Sequence, residues 1–149
     1  MKVTDEQVAT LRAQLSGDTD EYVQRLDEIT SPESQTSYTT LITAAFFEAV
    51  DRHFVVNGKA ADDRDIIDFV ATKREINPIA AEQLDPTVAE QVLAHALGKG
   101  SIPTEIDSDT LMQTQVLLLA ALIGEADLSD SELETFLSKA RAEADEHLD

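Results

Sequence analysis

Three histidines, at positions 53, 95 and 147, are the side chains of this chain whose ordinary titration lies near neutral pH. His53 is the first to consider for chemistry. It lies in "FFEAVDRHF" (46–54), a stretch that holds three of the five phenylalanines. At helical spacing its ring falls within the stripe of Ile42, Ala45, Phe46, Ala49 and Val56. A polar ring on an apolar stripe predicts a buried or half-buried histidine, with a ring nitrogen bonded to a carbonyl or a side chain. The functional form of that prediction is a ligand pocket between helices, with His53 and Phe46 in its wall and the imidazole as base, ligand or pH sensor. Glu48 and Asp51 fall on the opposite side, so neither can serve His53 within one helix. Catalysis would need a polar partner from another element. The sequence identifies none, and no catalytic residue is assigned.

Phe47 and Phe54 stand seven residues apart on a second face of the same helix. That face is either sandwiched in the core or exposed as a patch for a partner or a second copy.

The remaining motifs resolve into helix punctuation. His95 lies near a helix end and has a structural place before a functional one. His147 follows Glu143 by one turn, but two ligands do not make a metal site and the Glu-x-x-His pattern of bundle metal centres is absent. "DLSDSELETFLS" (127–138) has oxygen side chains at loop positions 1, 3 and 5. It lacks the glycine and the final acid of a calcium loop, and a Ser129–Glu132 capping box accounts for the same residues. "GKGS" (98–101) follows a helix and lacks the spacing of a phosphate loop. No Gly-x-Ser-x-Gly elbow occurs. No metal and no cofactor is expected.

Charge bounds the partners. Thirty Asp and Glu against eleven Lys and Arg give a formal net charge of −19. Without a cluster of cations to neutralise phosphates, neither nucleic acid nor an anionic membrane surface is an expected partner. The helix–break–helix rhythm from 63 to 97 fails as a DNA reader for the same reason, since its second helix, 85–97, carries no Lys or Arg. The acids are spread along the chain, which serves solubility as readily as attraction to a basic protein. No cysteine is present, so thiolate chemistry and disulfides are excluded. The amphipathic start does not read as a signal peptide, and the longest apolar run, 116–123, is too short to span a membrane. A cytoplasmic location is expected.

These residues are positioned by helices. Thr4 with Gln7, Asp85 before Pro86, Ser108, and Ser129 with Glu132 mark starts, while Gly17, Gly58 and Gly98 mark stops. Strand signals are absent, and Asn57-Gly58 reads as a helix stop. "TSPESQTS" (30–37) reads as a loop, and the tail "RAEADEHLD" is expected to fray. The expectation is one all-α, bundle-like domain over 1–149, with about six to eight helices around two central ones at about 37–57 and 108–123. The second of these is apolar on nearly every side and should be buried. With no catalytic constellation, the leading functional expectation is a non-enzymatic interaction or regulatory protein of the immunity, antitoxin or adaptor kind, with a basic protein partner. A small-molecule binder or enzyme with its pocket at His53 is the alternative, and a self-associating structural protein, as a homodimer for example, the third.

Overall fold

The computed structural model describes residues 2–148. Side-chain caps place most helix starts. Gln7 N donates to Thr4 Oγ1 at 3.2 Å and Thr4 N donates to Gln7 Oε1 at 3.0 Å, which opens α1 (Asp5–Leu15) with both arms of a capping box. Gly17, at φ 83°, turns the chain. Asp18 then caps α2 (Thr19–Leu26) by accepting from Glu21 N.

The long helix α3 (Pro32–Phe54) starts earlier than position 37. The expected loop at 30–37 is mostly its first turns, because Ser34 N donates to Ser31 Oγ at 3.1 Å and Pro32 needs no donor at the first helical position. The helix also stops before 57. Val55–Val56 (β1) pairs antiparallel with Lys59–Ala60 (β2), Val55 opposite Ala60. Between them Asn57 and Gly58 both have positive φ, 55° and 75°. Two positive φ values are what a two-residue hairpin turn demands. Asn57-Gly58 therefore makes a hairpin where none was expected. Its strands are too short to show alternation in the sequence.

Asp62 caps α4 (Asp63–Ile76), Asn77 caps the short α5 (Pro78–Gln83), and Asp85 caps α6 (Pro86–Ala96). Asp107 Oδ1 accepts from Thr110 N at 2.6 Å to start α7 (Ser108–Ala126). Ser129 and Glu132 form the expected reciprocal box before α8 (Asp130–Leu148), which stays helical to Leu148 through the segment expected to fray, whose last position, 149, lies outside the described residues. The fold is all-α, with eight helices among the described residues. None of these is long and apolar enough to cross a membrane.

The chain divides into two compact units, Met1–Glu48 with Ile123–Asp149, and Ala49–Leu122, so α3 and α7 each contribute to both. In the first, α1 packs against α2 and α8. Leu11, Leu41, Phe46, Phe136 and Leu137 are buried at its core. Buried Gln7 also reaches beyond its own helix: its Nε2 donates to Ser37 Oγ at 2.7 Å and to Ser34 O at 2.9 Å. Val3 N donates to Asp145 Oδ1 at 2.8 Å, and Arg141 bonds both Asp5 Oδ1 and Val3 O. Arg12 pairs with Glu134.

In the second unit α4 packs against α5 and α6, burying Ile66, Phe69, Val70, Val92 and Leu93. Arg74 Nε donates to Leu84 O at 2.9 Å and Nη2 to Ala81 O at 3.0 Å, which satisfies carbonyls at the end of α5. Lys99 Nζ donates to Ala61 O and lies 3.4 Å from Asp63 Oδ1. Helix α7 is less enclosed than its composition implies. Thr114, Gln115, Leu118, Leu119, Leu122 and Ile123 are buried, but Leu111, Met112, Val116, Leu117 and Ala121 are half-buried and Ala120 is exposed. An apolar circumference fixes which sides can be buried, and neighbouring elements decide which ones are.

Gln7→Leu removes one arm of the cap and two interior bonds while keeping an apolar body. It should cost about 2–4 kcal/mol in urea unfolding, whereas Gln35→Leu, on the exposed side of α3, should stay within about 0.5 kcal/mol.

The Asp107 carboxyl is held below its ordinary value of 3.8 by its bonds to Thr110, backbone first. A carboxylate whose folded pKa is lowered adds stability that is fully present above its ordinary pKa, and that stability is lost as pH falls through the folded one. Asp107→Asn keeps the cap without the titration. Its thermal midpoint should therefore fall less than the wild type's as the pH drops below 3.8.

Candidate functional site

His53 sits on the last turn of α3 and is exposed, which corrects the expectation of a buried or half-buried ring. The wheel averages one inward direction over the whole helix, but the covered side changes along its length. Through the middle of α3, Leu41, Ile42, Ala44, Ala45, Phe46 and Glu48–Val50 are buried, which leaves little uncovered. In the last turn only Phe54 is, at 3% exposure, facing Phe69 of α4 edge-on at 5.4 Å between ring centroids. The His53 ring rests on the outside of that pair, 4.5 Å from Phe54 and 5.1 Å from Phe69, with Lys73 Nζ 5.4 Å from the Phe69 centroid. Phe54 is thus core and unavailable as a partner patch. Phe46, at 1% exposure, is enclosed too.

Glu48 is buried as well, although its wheel position placed it on a polar edge. Lys139 Nζ of α8 approaches its Oε1 at 3.2 Å. A buried carboxylate requires such a partner.

Phe47, by contrast, opens on a depression. Its ring, 37% exposed, contributes to a groove of about 370 Å³ in the first unit, with Thr39, Thr40, Thr43 and Ala44 of α3 on one side and Glu143 and His147 of α8 on the other. Threonines within a helix turn their hydroxyls to the carbonyl one turn back. Thr40 Oγ1 donates in this way to Thr36 O at 2.9 Å. Glu143 and His147, four apart on one helix face, supply the ionisable groups. No lysine or arginine lines the groove, and its lining holds no serine or cysteine nucleophile.

No family model, curated protein or solved structure matches the chain. The site must therefore be read from its own chemistry. An aromatic wall, three threonines and a carboxylate can recognise an apolar group that ends in a cation. Glu143 and His147 are two ligand types only, and among the described residues no group of three His, Asp or Glu side chains is placed to hold a metal ion. His95 is exposed near its helix end, with Nδ1 3.1 Å from Gly100 O, and takes no part.

Sequence reasoning passed over the threonines, whose spacing at 39, 40 and 43 beside Phe47 was the available signal. It also passed over Tyr38. That hydroxyl is buried with no hydrogen-bond partner among the described residues, and burial, then the nearby Tyr22, push its pKa well up. A tyrosine on an inward face reads as core, and nothing in the sequence marks its hydroxyl.

These placements separate two neighbours in the chain. His53→Ala should cost no more than about 1 kcal/mol, the scale of exposed ring contacts, while Phe54→Ala should cost about 3–4 kcal/mol through the cavity it leaves. Thermal or urea unfolding of the two variants measures the contrast. Equal losses would return His53 to the core.

Proposed function

We propose that the chain is a non-enzymatic interaction module, of the immunity, antitoxin or adaptor kind, whose acidic exterior recognises a basic protein. The observation that carries this reading is where the cations lie. Of the eleven Lys and Arg, Arg12, Lys139 and Arg141 join helices of the first unit, and Arg74 and Lys99 tie segments of the second. Arg25 and Arg64 pair within their own helices. Carboxylates such as Asp20, Glu33, Asp51, Glu82, Glu105 and Glu146 remain exposed. With a net charge of −19 the long-range field is negative, which speeds and orients association with a positive surface and disfavours nucleic acid. The exposed His53 ring lends no support to the alternative of a pocket there.

Affinity capture from the source lysate at low and at high ionic strength tests the proposal. Basic proteins should be retained at low salt and released as screening shortens the reach of the surface charges. Retention indifferent to salt, or of acidic partners only, would overturn it. A self-associating structural protein would instead show, in light scattering, a mass that rises with its own concentration.

A further inference from the structure

We infer that the groove beside Phe47 is where a basic partner is anchored, and that its occupant is an amphipathic segment placing an apolar side chain against Phe47 and a lysine or arginine at Glu143. The inference rests on the reading of the chain as a module for basic proteins and adds the place and the chemistry of contact. Three observations point the same way. First, the groove's volume, about 370 Å³, lies at the low end of the roughly 300–1,000 Å³ range of ligand pockets. Second, its ring is partly uncovered at 37% exposure, in a unit whose other phenylalanines, Phe46 and Phe136, are closed off at 1% and 0%.

The third observation is charge complementarity. The groove's lining holds a carboxylate and no lysine or arginine, within a chain of net charge −19. A lysine or arginine is suited to such a place. Its methylene stem covers apolar surface while its head stays at the rim, where a carboxylate and an aromatic face both attract it. A neutral apolar ligand would use Phe47 and leave the Glu143 charge idle. A purely polar cation would leave the ring wet. The combination selects a segment that carries both characters on one face, as an amphipathic basic helix does.

The test uses the whole chain and a synthetic amphipathic peptide of leucine and lysine, followed by amide chemical shifts and by titration. Shifts should concentrate at Thr39, Thr40, Thr43 and Ala44. Phe47→Ala should weaken binding about tenfold, as loss of an aromatic anchor does, and Glu143→Gln about three- to fivefold, the scale of an exposed ion pair. Thr40→Lys, which sets a competing cation in the groove on a residue compatible with the helix, should abolish the shifts, with circular dichroism confirming that the variant is folded. Glu33→Gln, at the far end of α3, should leave affinity unchanged.

Two control peptides define the chemistry. Acetylating the lysines, or replacing the leucines with serine, should each weaken binding; equal binding by either control would overturn the inference. So would an affinity that tracks the number of acids removed regardless of position. If a second copy of the chain occupied the groove, light scattering would show a dimer lost in Thr40→Lys, and the basic-segment assignment would fall. Lysate partners that remain salt-sensitive yet ignore Phe47→Ala and Thr40→Lys would refute the groove and leave the acidic-module reading intact. Salt-indifferent capture would refute that reading itself.

Discussion

Scarcity of positive charge is the constraint on which the rest of the structure depends. With thirty carboxylates and eleven Lys and Arg, most acids have no cation to meet and must be kept in water, where their mutual repulsion is screened. The cations are few enough that their positions matter. In the first unit Arg141 holds the start of α1 through Asp5 and the segment before it through the Val3 carbonyl, and Arg12 reaches Glu134 on α8. Exposed pairs of this kind each stabilise little. Their value here is geometric, because they join residues more than a hundred positions apart in sequence, as the Val3–Asp145 bond also does.

Where cations are lacking, neutral polar groups and short acids take over the ends of helices. Asp18, Asp62, Asp85 and Asp107 all accept backbone donors at helix starts. Negative charge at a helix start is favourable on its own account, through the dipole as well as the bond. An acidic composition is thereby turned to structural use. Gln7 shows the neutral form: one amide completes the α1 cap with its oxygen and, with its nitrogen, binds Ser34 and Ser37 of α3. Its burial is tolerable because both ends of the amide are satisfied.

Much of this was legible in the sequence, for a physical reason. Caps are local, so Thr4 with Gln7, Asp85 with Pro86, and Ser129 with Glu132 could be found without knowing any tertiary contact. The stripes of α4 and α8 were equally readable, and Ile66, Phe69 and Val70, or Leu133, Phe136 and Ala140, are buried as their spacing implies. Errors arose where local signals were ambiguous or tertiary context decided. Ser31-Pro32 resembles a loop until Ser34 is seen to be capped, and Asn57-Gly58 can end a helix or turn a hairpin. His53 and Glu48 exchanged roles, one outside and one buried, because burial along α3 follows its neighbours and not its average wheel.

The same distinction explains why the groove escaped notice. A groove between two helices belongs to neither sequence segment, and residues 39–47 and 143–147 lie about a hundred positions apart. Each contribution looks ordinary alone: threonines on a helix, and a Glu-His pair near its end. Brought together, they line one groove with an aromatic ring and a carboxylate, and such a groove differs in kind from a partly exposed aromatic among leucines. The latter can gain affinity only from apolar area, which any sticky surface supplies. The former rewards an apolar side chain and a cation held at a fixed separation, and penalises partners that bring one without the other. If the acidic chain recognises basic proteins as proposed, long-range attraction brings many of them near. Discrimination among them then needs a short-range feature, which is the role proposed for the Phe47 groove.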